Sequence, residues 1–267
     1  MDVGSLILKL VLTPTLIGAA SLAGRRWGPA VSGWLVGLPL TSGPVAFFLA
    51  LNHGLPFAAA AAAGTLTGTL AECSFCLGYG WLARRAGWPL TLAISCLAFL
   101  ATIAALQYLV LPLAVLFLVI VAALALAFRL MPPDADAAQK PAPPPRWDLP
   151  ARMALATVFV LLLTGAAPLL GARLTGLLAP FPLYASILAA FAHRLQGPSA
   201  AAGVLRGLLM GLYAFASFFL VLALLIEPLG MAPAFAAAIV AALAIQAGSL
   251  WVLRRAAAPA TSLQNEG

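Results

Sequence analysis

Two ionisable residues lie deep inside apolar stretches of this sequence, where a charge has few natural partners. Glu72 lies in the stretch 56–81, and Arg206 lies in the stretch 199–226. Because an unpaired charge in apolar surroundings is costly, we expect each residue to have a partner or a water-filled cavity. Glu72 is therefore a candidate proton-coupling carboxyl, and Arg206 is its candidate partner or an anion contact. A purely structural ion pair, or an arginine that extends to the polar surface, explains the same residues equally well.

A second group of candidate residues surrounds prolines and glycines in two further apolar stretches, Gly28 to Gly54 and Gly171 to Gly197. Proline and glycine interrupt a helix, and the freed N–H groups at the start of the next half-helix favour a carboxylate or another anion. A pair of proline-kinked packing helices is the alternative. The candidate substrate-binding residues are Pro39, Thr41, Ser42, Gly43, Pro182, Tyr184 and Ser186.

The cysteines and histidines give weaker signals. Cys73 and Cys76 lie one helical turn apart, as in redox or zinc sites, but no second pair follows, so we interpret them as packing residues. His53 and His193 lie at the ends of apolar segments, and we interpret them as interfacial. Because the apolar segments carry no paired carboxylates, no phosphate-binding loop and no hydrolase motif, the sequence predicts no metal, no cofactor and no enzymatic activity.

The composition indicates the surroundings of these residues. Of 267 residues, 64% are hydrophobic and 8% are charged, whereas soluble domains carry about 25% charged residues. The apolar stretches are long and do not alternate with polar residues, which predicts an all-α polytopic membrane protein rather than a β-barrel. The 14 Lys and Arg against 7 Asp and Glu give a net charge of +7. In a membrane protein such an excess indicates topology, not nucleic-acid binding.

The apolar segments predict about nine transmembrane helices. The first is not a signal peptide, because Arg25 and Arg26 follow its apolar run instead of preceding it. A proline-rich cytoplasmic linker at 131–150 separates the two halves, and a short polar tail occupies 256–267. The predicted helices are 3–23, 28–52, 56–81, 89–106, 109–128, 151–169, 173–192, 199–226 and 231–253.

The basic residues at the segment ends predict an orientation. If alternate loops lie on opposite faces, one face receives only Lys9 and Arg173, and the positive-inside rule makes the other face cytoplasmic. The N-terminus is then outside and the C-terminus inside. The preference for alanine, glycine and proline, and for arginine over lysine, indicates a high-GC bacterial genome and hence the inner membrane. The predicted cytoplasmic basic residues are Arg25, Arg26, Arg84, Arg85, Arg129, Lys140, Arg146, Arg152, Arg194, Arg254 and Arg255.

The two halves of the chain also resemble each other. The first repeat and a fifth helix without a counterpart occupy 1–130, and the second repeat occupies 151–255. Because the additional helix crosses the membrane once more, the second repeat is predicted to be inverted relative to the first. Inverted repeats with interrupted helices, here at about 28–52 and 173–192, are typical of secondary transporters with central binding sites. Small residues one turn apart on helices three and eight predict that these helices pack closely. A shift of 143 positions aligns Gly28 with Gly171, Pro39 with Pro182, Gly54 with Gly197, Gly64 with Gly207 and Gly68 with Gly211.

The sequence thus favours a secondary transporter or exporter of a small organic solute, anionic or zwitterionic, that alternates access around two interrupted helices. Protons acting through Glu72 are the expected energy source, and facilitated passage is the alternative. The expected partners are the lipid bilayer and the solute, and a homo-oligomer is compatible with the sequence. The competing hypotheses are a membrane enzyme or flippase for a lipid headgroup and a structural subunit of a membrane complex. A solvated pocket between the breaks favours the transporter, and a dry, filled centre contradicts it.

Overall fold

The computed structural model describes residues 3–27, 38–132 and 148–257, and every regular element in these ranges is an α-helix. A helix satisfies its backbone groups internally, which suits segments with so few polar side chains. The helices are α1 (Val3–Trp27), α2 (Ser42–His53), α3 (Leu55–Leu82), α4 (Trp88–Leu106), α5 (Leu113–Leu130), α6 (Asp148–Leu178), α7 (Leu183–Gln196), α8 (Pro198–Leu229) and α9 (Met231–Ala257).

Glycine and proline set the boundaries between successive helices. Gly54 separates α2 from α3 and Gly197 separates α7 from α8, with φ of 88° and 96°. Because L side chains rarely adopt a positive φ, glycine allows the chain to turn here without a longer loop. Pro56 and Pro198 follow in the first turn of the next helix, where a missing N–H is tolerated. The same turn is therefore built at both positions related by the 143-residue shift.

The helices α3 and α8 form the centre of the bundle and pack along each other, as predicted for helices three and eight. The predicted reason is wrong. A Cβ at Gly64 would lie 2.6 Å from the carbonyl oxygen of Arg173, and one at Gly68 would lie 2.6 Å from that of Leu177, whereas one at Gly207 would meet nothing within 4 Å. The small residues of α3 therefore admit the end of α6, not α8.

The end of α6 is a separate short helix. The backbone of α6 leaves the helical conformation at Gly171 (φ 74°, ψ 166°), and residues 172–178 continue in a new direction. We call residues 172–178 the half-helix. It lies against α3 through Gly176, which contacts Ala61. The chain then leaves the helical path at 179–182 before α7 begins, so the segment predicted at 173–192 is interrupted as expected.

The helices α1 and α6 lie side by side in opposite directions. Near the start of α1, the Lys9 Nζ donates a hydrogen bond of 2.9 Å to the Thr164 Oγ1 of α6. Further along α1, Gly18 lies against Met153, near the beginning of α6. Two helices at equivalent positions in the halves of the chain are therefore antiparallel neighbours.

Contacts between helix ends bring several arginines to one end of the bundle. The Trp81 Nε1 donates a hydrogen bond of 3.0 Å to the Leu130 carbonyl, which joins the ends of α3 and α5. The rings of Tyr79 and His193 have centroids 6.0 Å apart, which adds the end of α7. We call this the arginine-rich end; the arginines at the ends of these three helices are Arg84, Arg85, Arg129 and Arg194.

Two arginines hold the hairpin of α4 and α5. At the other end of the bundle, Arg173 donates hydrogen bonds to three carbonyls of the α4–α5 connection, those of Leu106, Gln107 and Leu109. At the arginine-rich end, the guanidinium of Arg206 donates to the carbonyls of Met131 and Pro132, at 3.2 and 3.0 Å. These carbonyls follow the last turn of α5, where backbone acceptors lack helical partners.

We expect Arg206→Ala to lower the free energy of unfolding by about 2 kcal/mol, because it leaves carbonyls at the end of α5 without donors. It also removes a cation–π contact, since the guanidinium lies 4.6 Å from the ring centroid of Phe128. Unfolding in detergent, followed by circular dichroism, measures this loss. Arg194→Ala is the matched control, because Arg194 is exposed in α7, and it should change the free energy by less than about 0.5 kcal/mol.

Five helices of the described ranges are long and apolar enough to cross a membrane: Trp88–Leu106, Leu113–Leu130, Leu149–Leu178, Pro198–Leu229 and Met231–Gly248. The central helix α3 is not among them, although it has 28 residues. Its threonines, glycines and Glu72 are largely buried against other helices, so its surface need not match lipid. The predicted count of nine spans stays a prediction. The first part of the stretch 28–52, most of the linker 131–150 and nearly all of the tail 256–267 lie outside the described residues.

Candidate functional site

The chain leads into α2 and α7 in the same way, from the prolines predicted to interrupt these segments, Pro39 and Pro182. The N–H of Leu40 donates to the carbonyl of Leu38 at 2.7 Å, and the N–H of Leu183 donates to that of Phe181 at 2.7 Å. The next bonds also correspond, with 2.8 Å from Gly43 to Pro39 and 2.7 Å from Ser186 to Pro182. Each residue of the second set follows its counterpart by 143 positions, so the backbone path is the same in the non-helical segments 38–41 and 179–182. We call these segments the first break and the second break.

Both helix starts carry backbone donors for which the described residues provide no backbone acceptor. Among the described residues, no backbone acceptor is found for the N–H groups of Thr41 and Ser42, or for those of Tyr184 and Ala185. Neither α2 nor α7 has a side-chain cap that would satisfy them. Such groups carry the positive end of a helix dipole and attract anions or oxygen acceptors.

A cavity of about 50 Å³ lies between the two breaks. This volume can hold on the order of three water molecules or a small polar group such as a carboxylate. The central helix α3 contributes Glu72, and the other wall residues come from α1, α8 and the two breaks. The lining residues are Ile17, Leu38, Pro39, Leu40, Thr41, Ser42, Glu72, Pro180, Phe181, Pro182, Leu183, Tyr184, Ala185, Leu208, Leu212 and Phe215.

Glu72 is the only charged side chain among the described residues that line this cavity. Only 4% of the surface of Glu72 is exposed, and its Oε2 has no hydrogen-bond partner in the described part of the chain. The 143-residue shift relates Glu72 to Phe215 of α8, and both line the cavity. The carboxyl therefore lies where the two central helices meet, and it faces both helix starts.

Arg206 does not pair with Glu72, so the predicted ion pair is absent. The guanidinium of Arg206 is turned toward α5, where its Nη1 is occupied by the carbonyls of Met131 and Pro132. It is not part of the cavity wall. The position of both residues deep inside apolar stretches suggested pairing, but two such residues can lie on different sides of their helices. The anion-contact role proposed for Arg206 also has no support in this geometry.

The two breaks touch directly beside the cavity. The Ser42 Oγ donates a hydrogen bond of 2.8 Å to the carbonyl of Ala179. That carbonyl follows the half-helix, in the segment where α6 ends and α7 has not begun. The hydroxyl of Ser42 thus provides a donor for the Ala179 carbonyl, which lies in the second break. In this conformation the two segments are linked on one side and separated by the cavity on the other.

Five of the seven predicted binding residues line the cavity, and two do not. Gly43 lies in the wall of a neighbouring cavity described below. The hydroxyl of Ser186 donates to the Leu183 carbonyl within its own helix, at 2.9 Å. The residues that the structure brings together with Glu72 are Pro39, Thr41, Ser42, Pro182 and Tyr184.

The predicted topology places Lys9 and Arg152 in loops, but both are buried, with 0% and 6% of their surfaces exposed. The guanidinium of Arg152 lies 4.4 Å from the ring centroid of Tyr184, which lines the cavity. The Lys9 ammonium lies 5.3 Å from the ring centroid of Phe48. The 143-residue shift relates Lys9 to Arg152, so the repeat itself was the signal that could have identified them.

A second cavity, of about 250 Å³, lies on the other side of the first break. It shares Leu38, Pro39 and Leu40 with the Glu72 cavity. Its remaining described walls come from α1, α2, α8 and α9 and carry no polar side chain. Ile239 and Leu243 of α9 line it and are exposed on the outside of the bundle. Its lining residues are Leu12, Leu16, Leu38, Pro39, Leu40, Gly43, Pro44, Phe47, Phe218, Phe235, Ile239, Ala242 and Leu243.

The long apolar helices and the apolar outer surface define a multi-pass α-helical membrane protein. Its distinguishing feature is a buried carboxyl between the non-helical segments 38–41 and 179–182. No family model, curated protein or solved structure matches the chain.

Proposed function

We propose that this protein is a secondary transporter of a small anionic or zwitterionic solute, coupled to protons through Glu72. The proposal rests on one observation: two helix starts and a buried carboxyl line the same cavity. The two helix starts bring to its wall N–H groups that have no backbone acceptor among the described residues, and the buried carboxyl lies between them. Helix starts favour a negative group, whereas an ionised Glu72 repels one. A solute carboxylate and a proton on Glu72 therefore favour each other, which is the basis of symport.

An inverted repeat would supply the two conformations that such a mechanism needs. The equivalent hydrogen bonds at the two breaks, the glycine turns at Gly54 and Gly197, and the antiparallel packing of α1 and α6 all support it. In transporters with inverted repeats, an exchange of conformations between the two halves exposes a central site alternately to the two sides of the membrane. The small volume of the cavity and the Ser42–Ala179 hydrogen bond are consistent with a conformation closed around the site.

The proposal is tested with the purified full chain in liposomes that contain a pH-sensitive dye. We expect at least one member of a panel of short carboxylic acids and amino acids to produce a pH change inside the liposomes when its gradient is applied. Empty liposomes, tested with the same panel, correct for acids that cross the lipid unaided. A panel that gives neither a protein-dependent pH change nor thermal stabilisation of the protein would contradict the proposal.

A lipid-headgroup flippase is the second candidate, because the apolar cavity provides a side opening that such a protein requires. An acyl chain could occupy that cavity while a headgroup reached the Glu72 cavity across the wall formed by Leu38, Pro39 and Leu40. A dithionite quenching assay with fluorescent phospholipids distinguishes the two candidates. Rapid loss of inner-leaflet fluorescence without solute-driven pH change would favour the flippase.

A further inference from the structure

A line of buried polar atoms without partners leads from the Glu72 cavity toward the arginine-rich end. They are the Glu72 Oε2, the Tyr79 hydroxyl and the His193 Nδ1, and none has a hydrogen-bond partner in the described part of the chain. Tyr79 has no exposed surface. A buried hydroxyl or ring nitrogen without a partner loses its hydrogen bonds to water and gains none in return, which is unfavourable. Three such atoms in succession indicate a path for water or protons rather than an accident of packing.

The geometry of α3 connects the first two atoms. Tyr79 follows Glu72 by seven residues, so the two side chains leave the helix on nearly the same face, about 10 Å apart along the axis. Long side chains in helices tilt toward the N-terminal end, and for Tyr79 this is the direction of Glu72. Phe75 and Cys76 occupy the turn between them, and both are fully buried. The distance is too large for a direct transfer, and one or two water molecules must complete the path.

His193 connects the second atom to the surface. Its ring packs against Tyr79 edge to face, with centroids 6.0 Å apart. It also lies close to the backbone of Ala83, one residue after α3 ends. His193 is half-buried at the arginine-rich end and is followed by the exposed Arg194. It therefore lies between solvent and the buried Tyr79.

We propose that His193 and Tyr79 relay protons between the arginine-rich end and the carboxyl of Glu72. In one direction, His193 takes up a proton from solvent at Nε2 and releases a proton from the buried Nδ1 to a water molecule beside Tyr79. The Tyr79 hydroxyl accepts this proton and donates its own through a second water to the Glu72 carboxylate. Only N–H and O–H bonds form and break, and the net change is one proton moved from solvent to Glu72. The inference extends the proposed transport function by giving its proton a route.

The groups that face Glu72 offer no better route. On α3 its titratable neighbours are the thiols of Cys73 and Cys76, which are buried among apolar side chains. From α7 it faces Tyr184, which lies under Arg152. The cavity-lining residues of α8 are apolar, and the nearby Tyr213 of α8 faces Cys73. None of these groups continues toward an end of the bundle, whereas Tyr79 and His193 do.

The experiment measures hydrogen–deuterium exchange of the Glu72 carboxyl by infrared difference spectroscopy, with the full chain in lipid nanodiscs transferred into D₂O. Glu72→Gln identifies the band by removing it. We expect Tyr79→Phe to slow exchange of this band about ten-fold or more, because it removes the hydroxyl but keeps the ring. His193→Gln should slow it similarly, and it replaces a side chain that is only half-buried, so its effect does not depend on Tyr79→Phe folding.

Two matched controls separate a relay from a general effect on packing. Tyr213→Phe removes a hydroxyl from the neighbouring central helix, and His53→Gln replaces the only other histidine of the sequence. Both should exchange at the wild-type rate. Wild-type exchange rates in Tyr79→Phe and His193→Gln would overturn the relay.

The measurement uses no solute, so it is independent of the transport assay. If exchange depends on Tyr79 but no solute moves protons in liposomes, the relay stands and the proposed transport function fails. If solutes move protons but the Glu72 carboxyl exchanges at the wild-type rate in Tyr79→Phe and His193→Gln, the transport function stands and the relay is overturned.

Discussion

Glu72→Gln is expected to abolish solute-driven proton movement and to leave exchange of the solute across the membrane largely intact. Glutamine has nearly the shape of a protonated glutamate, and it keeps polar atoms at the cavity wall. It cannot bind or release a proton, so the pH change inside liposomes should fall to the level of empty liposomes. Counterflow, in which labelled solute exchanges for unlabelled solute without net transport, should persist because the site can still be occupied.

We expect Glu72→Gln to leave the stability of the folded protein nearly unchanged. The Glu72 Oε2 has no partner among the described residues, so the substitution breaks no hydrogen bond at that atom. A neutral glutamine of nearly the same size also avoids the desolvation cost of a buried carboxylate. A loss of activity without a loss of thermal stability would therefore report on the chemistry of the carboxyl.

Glu227→Gln is the matched control, because Glu227 is exposed near the end of α8, away from the cavity. It should behave as the wild type in both assays. Proton movement at the wild-type rate in Glu72→Gln would contradict the proposal that Glu72 carries the coupled proton. A loss of counterflow together with proton movement would make Glu72 a solute ligand rather than a proton carrier.

The helix positions were predictable because they follow from local chemistry. The fourth helix was predicted at 89–106 and lies at Trp88–Leu106, since Gly87 and Pro89 mark its start. The break after Ala179 was predictable from the spacing of Pro180 and Pro182, which remove backbone donors. Such signals act within a few residues, so the sequence alone carries them.

Side-chain partners were less predictable because they depend on how each helix is rotated about its axis. The depth of Arg206 suggested Glu72 as a partner, but its actual acceptors are carbonyls after α5, which have no helical donors. The small residues of α3 were expected to face α8, and instead they face the half-helix. The change of direction at Gly171 creates that half-helix, and its place against α3 could not be inferred from apolar periodicity.

Gly176→Ala is expected to be the most destabilising single-methyl change in the described part of the chain. An added Cβ would lie 2.8 Å from the carbonyl carbon of Ala61 and 2.9 Å from its Cα. These are backbone atoms of the central helix, which cannot move aside as a flexible side chain can. Overpacking of this kind costs about 1–3 kcal/mol and occasionally more, and we expect the upper part of that range. Thermal unfolding in detergent measures the loss.

Gly165→Ala is the control for Gly176→Ala, because it lies in the same element and a Cβ there would meet nothing within 4 Å. It should stabilise α6 slightly, by about 0.5–1 kcal/mol, since alanine is the better helix former. Equal stability of the two variants would show that the half-helix does not pack tightly against α3.

The functional consequence of Gly176→Ala follows from the position of the half-helix. The half-helix ends at Leu178, directly before Ala179, whose carbonyl accepts the hydrogen bond from Ser42. Displacing it from α3 shifts the break at 179–182 and separates Tyr184 from the other walls of the cavity. We therefore expect this variant to lose counterflow as well as proton movement, whereas Glu72→Gln loses proton movement alone. The pair of variants thus distinguishes the shape of the site from the chemistry of its carboxyl.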